Sequence, residues 1–137
     1  MGVDYGMLRI GVALSDPGER IATPTGTIQA SGTASGNVKC VLEWAAGNEV
    51  EGIVVGLPLN MDGTDSEQTR VTRAFVTRLA DATSLPVELW DERLSSHQAD
   101  QTLTSMNATN KRRRKMRDAL AAQAILQRFL DARPPTE

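Results

Sequence analysis

Apolar runs and turn-forming clusters alternate along the chain, and their order predicts the fold. Met1 to Asp4 reads as a short strand, Tyr5-Gly6 turns the chain, and Arg9 to Leu14 is a second strand close enough to pair antiparallel with the first. Ser15-Asp16-Pro17-Gly18 is a turn by composition, and Arg20 to Ile28 is a third strand that Pro24 places at a sheet edge. Residues 30–36 are a flexible connection, and Asn37 is placed to cap a helix carrying Val38, Val41, Leu42 and Ala45 on one face. The apolar run from Glu51 to Gly56 has the pattern of a strand buried on both faces of a parallel sheet. A Pro-Asn-Gly loop over residues 57–63 precedes a helix from Glu67 to Ala82, with Val71, Phe75 and Leu79 in register. Leu85 to Trp90 is the last strand, ending at Asp91-Glu92. Ser95 or Ser96 caps a helix over roughly 97–106, and a final helix runs from about Arg114 to Ala132, stopped by Pro134-Pro135. The order β-β-β-α-β-α-β-α-α predicts an α/β fold. Three antiparallel strands lead into parallel βα units, giving a five-stranded mixed sheet with helices on both faces.

Composition adds limits. The 137 residues suit one domain spanning the whole chain, and 40% hydrophobic with 23% charged is ordinary for a globular protein. One cysteine (Cys40) and one histidine (His97) rule out an internal disulfide and a Cys/His zinc site. No apolar run approaches the ~20 residues of a membrane span, and no signal peptide precedes the first strand, so no membrane partner and a cytoplasmic location are expected. The net charge of −2 conceals an asymmetry. Lys111, Arg112, Arg113, Arg114, Lys115 and Arg117 lie within seven residues, and without them nine Lys and Arg face 17 acids. Such lopsidedness predicts one basic contact surface on an acidic body.

Three acids stand out. Asp4 ends the first strand, Asp91-Glu92 ends the last, and Asp118 falls on the apolar stripe of the final helix with Ala121, Ala122, Ile125 and Phe129. Strand ends in such sheets are where ligands bind. Alternation sends Asp91 and Glu92 to opposite faces, so only one of them shares the site. Carboxylates gathered without a local lysine or histidine repel one another. Hard divalent ions such as Mg²⁺ or Mn²⁺ relieve that repulsion. Two such ions about 4 Å apart activate a water and stabilise the leaving oxygen in phosphodiester displacement, which needs no protein nucleophile.

These residues resemble the YqgF/RuvX family, described both as Holliday junction resolvases and as nucleases maturing the end of pre-16S ribosomal RNA. The matching pieces are Gly2 to Gly6 with Arg9 to Ala13, the run Gly56-Leu57-Pro58-Leu59-Asn60-Met61-Asp62-Gly63, Asp91 to Ser95, and Asp118 to Ala122 with Ile125-Leu126. The resemblance implies a ribonuclease H-like fold in a cytoplasmic bacterial protein. It implies a Mg²⁺- or Mn²⁺-dependent nuclease whose catalytic and metal-binding acids match Asp4, Glu92 and Asp118. It also implies ribosomal RNA processing ahead of recombination. Structured RNA, branched DNA and ribosomal precursor particles are the implied partners. A resolvase is expected to be a homodimer, because a junction has two-fold symmetry, whereas an RNA trimmer can be a monomer.

Other residues carry two readings. Lys111, Arg112, Arg113, Arg114 and Lys115 lead into the helix bearing Asp118, which favours contact with a nucleic-acid backbone over a merely solvated face. Arg9 and Arg93 either hold a scissile phosphate or neutralise the acids beside them. Asn60, in the loop that follows a strand end, is a binding residue on the strength of the resemblance and a turn residue without it. His97 reads as solvated or capping, and Cys40, Trp44 and Trp90 as packing residues, with Trp90 nearest the site. Two further functions compete with a nuclease. One is a non-catalytic nucleic-acid or ribosome-binding factor, for which the basic run matters and the acids do not. The other is a nucleotide-binding module of the actin/sugar-kinase type, supported only by Asp4-Tyr5-Gly6 and lacking both a second lobe and a glycine-rich phosphate loop.

Overall fold

The computed structural model describes residues 1–94 and 110–132. Its five strands are β1 (Gly2–Tyr5), β2 (Arg9–Ser15), β3 (Ala22–Gln29), β4 (Ile53–Leu57) and β5 (Val87–Asp91), and its helices are α1 (Ala34–Gly47), α2 (Glu67–Ala82) and α3 (Asn110–Ala132). They form one sheet in the order β3-β2-β1-β4-β5. β1 pairs antiparallel with β2 and parallel with β4, β2 antiparallel with β3, and β4 parallel with β5. The mixed sheet is therefore as the pattern predicts, and Pro24 lies on an edge strand, where its missing N–H costs no ladder bond. β1 is short, yet it is central, bonded on both sides.

Strand alternation builds two cores. Val3, Tyr5, Ile10, Val12, Ile53 and Val55 point to one face and pack under Val38, Val41 and Ala45 of α1 and Phe75 and Leu79 of α2. Ala13, Ala22 and Val54 point to the other and pack under Ala122, Ile125 and Leu126 of α3. Each buried branched side chain contributes about 1.5–3 kcal/mol, so both layers hold the sheet firmly.

The helix starts differ from the sequence reading. α1 is capped by Thr33, whose side chain accepts from the Gly36 N–H, and Asn37 lies inside the helix. Asn37 is buried and polar, which is why it cannot serve as a solvent-facing cap. Its amide donates to the Tyr5 hydroxyl at 2.8 Å and its oxygen accepts from the Ser31 N–H at 2.7 Å. α3 begins at Asn110, so the basic run 111–115 is helical. Its buried stripe is Ala119, Ala122, Ile125 and Leu126; Ala121 lies beside it, half-buried. The helix expected over 97–106, with Ser95, Ser96 and His97, lies outside the described residues.

Candidate active site

The α3 face of the sheet carries few large side chains, and that allows the helix to sit close. A Cβ on Gly2 would lie 2.7 Å from the Ala122 carbonyl oxygen and from Leu126 Cβ, and one on Gly11 would lie 1.9 Å from the Asp118 carbonyl oxygen. Side chains of any size there would lift α3 off the sheet. The helix is fixed along its length by Gln123 and Gln127. Gln123 Nε2 donates to the Ala22 carbonyl at 3.0 Å, and the Ala22 N–H donates to Gln127 Oε1 at 2.8 Å. With α3 so placed, Asp118 lies over Gly11, and Gly11 is the β2 partner of Asp4.

The third acid arrives from β5. Trp90 faces α3, where its ring meets Phe129 edge-on at 6.2 Å. Strand alternation then turns Asp91 away and brings Glu92, in a single 3-10 turn, to the α3 side. Gly56 on β4 makes the room: a Cβ there would lie 2.6 Å from Glu92 Cγ and 2.4 Å from Ile125 Cδ1. Glu92 hydrogen-bonds Asp4, and Asp118 is close enough for its charge to act on Asp4. Asp4, Glu92 and Asp118 thus come together at the carboxyl ends of β1 and β5.

Electrostatics set their state. Burial pushes the Glu92 carboxyl up to about 9, the charge of Asp4 and the hydrogen bond to it adding to the rise. Burial likewise raises Asp4, opposed by the hydrogen bond from Glu92 and assisted by Asp118. Glu92 therefore carries the proton near neutral pH and donates it to Asp4. Asp118 is satisfied by Arg9, whose Nε donates to Oδ2 at 2.6 Å. Three carboxylates make an all-oxygen donor set, so the chemistry of the three acids fits Mg²⁺ or Mn²⁺. Among the described residues no three His, Cys, Asp or Glu side chains close into a metal-sized cage. With Asp118 turned to Arg9, the set is two carboxylates and a third held aside.

Around this cluster lie the other expected residues. Arg93 is engaged with Asp91, Nη2 donating to Oδ2 at 2.6 Å, and its Nη1 donates to the Met61 carbonyl at 3.0 Å. The bond to Asp91 holds that carboxyl below the usual range, and the bond to Met61 pins the 58–65 loop to the end of β5. Asn60 organises the same loop: its Nδ2 donates to Thr64 Oγ1 at 3.0 Å and its carbonyl accepts from the Gly63 N–H at 2.8 Å. Gly63 has φ of +87°, a conformation that favours glycine. Both arginines thus neutralise acids here. Residues 110–117 precede Asp118 on α3 and, at ~1.5 Å per residue, extend about 12 Å past it. Since α3 runs from Asp118 above Gly11 to Leu126 above Gly2, that extension projects beyond the carboxyl end of β1. The helical turns that carry Lys111, Arg112, Arg113, Arg114 and Lys115 therefore continue past Asp118 on the carboxyl-end side of β1. Among the described residues, no helix is long and apolar enough to cross a membrane.

Sequence reasoning missed Gly2, Gly11 and Gly56 as space-makers for the site. It also missed the exposed apolar tips beside it, Met7 and Leu8 (each 68% exposed) and Met61 (85%). A signal was present for one of them, since Gly11 interrupts the strand pattern from Arg9 to Leu14.

Comparison with known proteins agrees with this geometry. The chain is 44% identical over 135 residues to a protein of Anaeromyxobacter dehalogenans strain 2CP-C, covering 98% of each. It is 41% identical over 130 residues to one of Rhizobium etli, covering 95% of this chain and 79% of the other. Both relatives are named as pre-16S rRNA nucleases. The solved structure of RuvC from Thermus thermophilus superposes with a TM-score of 0.52 at 16% identity, over 96% of this chain and 93% of that one, which shows a shared ribonuclease H-like fold. The model of the RuvX family, described as Holliday junction resolvase, matches residues 1–132, and the chain belongs to that family.

Proposed function

We propose that this protein is a divalent-metal-dependent nuclease that hydrolyses phosphodiester bonds in the maturation of the pre-16S rRNA end. The observation that carries the reading is the meeting of Asp4, Glu92 and Asp118 at the carboxyl ends of β1 and β5, on the helix that the basic run opens. Asp4, Glu92 and Asp118 would hold Mg²⁺ or Mn²⁺, which when bound supplies a water of lowered pKa and a Lewis acid at the leaving oxygen. Asp4 and Glu92 bind and orient through their oxygens, and Glu92 must give up the proton it shares with Asp4 to do so. Lys111, Arg112, Arg113, Arg114 and Lys115 draw in the nucleic-acid backbone, and Arg9 neutralises charge at the scissile phosphate. The loop carrying Asn60, tied down by Arg93, forms the rim on the β4–β5 side. Residues 1–137 act as one nuclease domain in the cytoplasm, with ribosomal precursor particles as the site of action.

The description of the family model favours a second substrate, a four-way DNA junction. Incubation of the protein with rRNA precursor and with four-way junctions, in Mg²⁺ or Mn²⁺, tests both. Cleavage of the precursor by wild type, lost in Asp4→Asn and in Asp118→Asn, is expected. Junction cleavage alone would reassign the substrate. Equal activity in both variants would overturn the mechanism, and binding without cleavage would point to a non-catalytic factor.

A further inference from the structure

We propose that Arg9 exchanges partners during turnover. In the substrate-free protein it holds Asp118, and an arriving phosphodiester draws it away and releases Asp118 to the cation site. Phosphate binding and divalent-metal binding then reinforce each other. This inference rests on the nuclease reading above and adds an order to it.

The geometry prepares Arg9 for the exchange. Its backbone is fixed on both sides of β2: it pairs with Gln29 of β3, and its carbonyl accepts from the Gly6 N–H at 3.1 Å. Only the side chain is left to move. That side chain reaches Asp118 through Nε alone, and among the described residues neither terminal amino group of Arg9 meets an acceptor. The pair is partly open to water, with side-chain exposures of 29% for Arg9 and 18% for Asp118. The bond uses one donor of the fork, and a planar guanidinium engages a phosphate through two parallel N–H donors more strongly than a carboxylate through one. Asp118, once free, already lies within electrostatic reach of Asp4. Its release turns a two-carboxylate site into a three-carboxylate one, which a hard cation binds more tightly. By linkage the effect is reciprocal, so metal binding also frees Arg9 for the phosphate.

The test is calorimetric titration of Mn²⁺ into the full chain, with and without saturating dimethyl phosphate, a minimal phosphodiester. Wild type is expected to bind Mn²⁺ about tenfold more tightly with dimethyl phosphate present, the size of effect typical of linked sites. Arg9→Gln should bind Mn²⁺ that tightly from the start and gain nothing further, and Arg9→Lys should keep a reduced gain. Conversely, metal-free Asp118→Asn should bind dimethyl phosphate about tenfold more tightly than metal-free wild type, since Arg9 is then unengaged. That arm is independent of whether Arg9→Gln folds. No gain in wild type, a gain that persists in Arg9→Gln, or unchanged phosphate affinity in Asp118→Asn would each overturn the exchange. If Asp4→Asn abolishes Mn²⁺ binding while dimethyl phosphate leaves wild type unchanged, the exchange alone fails. If wild type binds no Mn²⁺, or binds it no better than Asp4→Asn, the nuclease reading fails with it.

Discussion

Glu92→Gln should make the fold more stable above about pH 5 and the enzyme inactive. Glu92 is pushed from its ordinary 4.5 up to about 9 by burial, with Asp4 and Asp91 adding their charges. Between those values the folded protein keeps a proton that the unfolded chain releases, so stability falls as pH rises from about 4.5 to about 9 and levels off above. Each pH unit in that window costs up to about 1.4 kcal/mol, a ceiling of about 3.5 kcal/mol at pH 7. Partial exposure of Glu92 lets water offset part of this, leaving an expected cost of about 1–2 kcal/mol. A glutamine amide donates to Asp4 as the protonated acid does and has nothing to lose at high pH. Arg9 remains on Asp118 in both proteins, so the comparison isolates the Asp4–Glu92 pair. Urea unfolding in EDTA, followed by circular dichroism at pH values from about 5 to about 9, reads the difference. Wild type should lose about 1–2 kcal/mol relative to Glu92→Gln over the lower half of that range, and Mg²⁺ should restore it in wild type only. Parallel pH curves for the two proteins would refute the shared-proton picture.

Gly56→Ala places a methyl group against Ile125 Cδ1 and Glu92 Cγ. It should cost about 1–3 kcal/mol in denaturant unfolding and reduce cleavage further than stability alone explains, because Glu92 is displaced. Gly11→Ala meets the Asp118 backbone, which cannot move aside as a side-chain tip can, so its cost should be larger, about 3 kcal/mol or more. Tyr5→Phe leaves the Asn37 amide without its buried acceptor and should cost about 1–3 kcal/mol by the same assay. Replacing Lys111, Arg112 and Arg113 by alanine should weaken nucleic-acid binding, read by fluorescence anisotropy. The slope of log affinity against log salt should fall by about one unit for each phosphate that the variant no longer neutralises.

Local chemistry made most of the architecture legible in the chain. The apolar run at Ile53–Val55, the turn after Tyr5, which itself ends β1, and Pro24 mark buried strand, hairpin and edge through backbone rules that act within a few residues. The same rules put Asp4 and Glu92 at strand ends and Asp118 on a helical stripe. Periodicity does not report how close two elements lie, so it could not reveal that Gly2, Gly11 and Gly56 clear the ground for α3 and Glu92. Nor could it assign partners. Asn37 resembles a cap in sequence and is a buried donor to Tyr5, because packing of α1 on the sheet turned it inward. Arg9 and Arg93 both follow acids closely, yet Arg9 pairs with Asp118, 109 residues away, while Arg93 takes Asp91 beside it. Hydrogen bonds and ion pairs act over a few ångströms in space, and only the folded chain decides which charges come within that range.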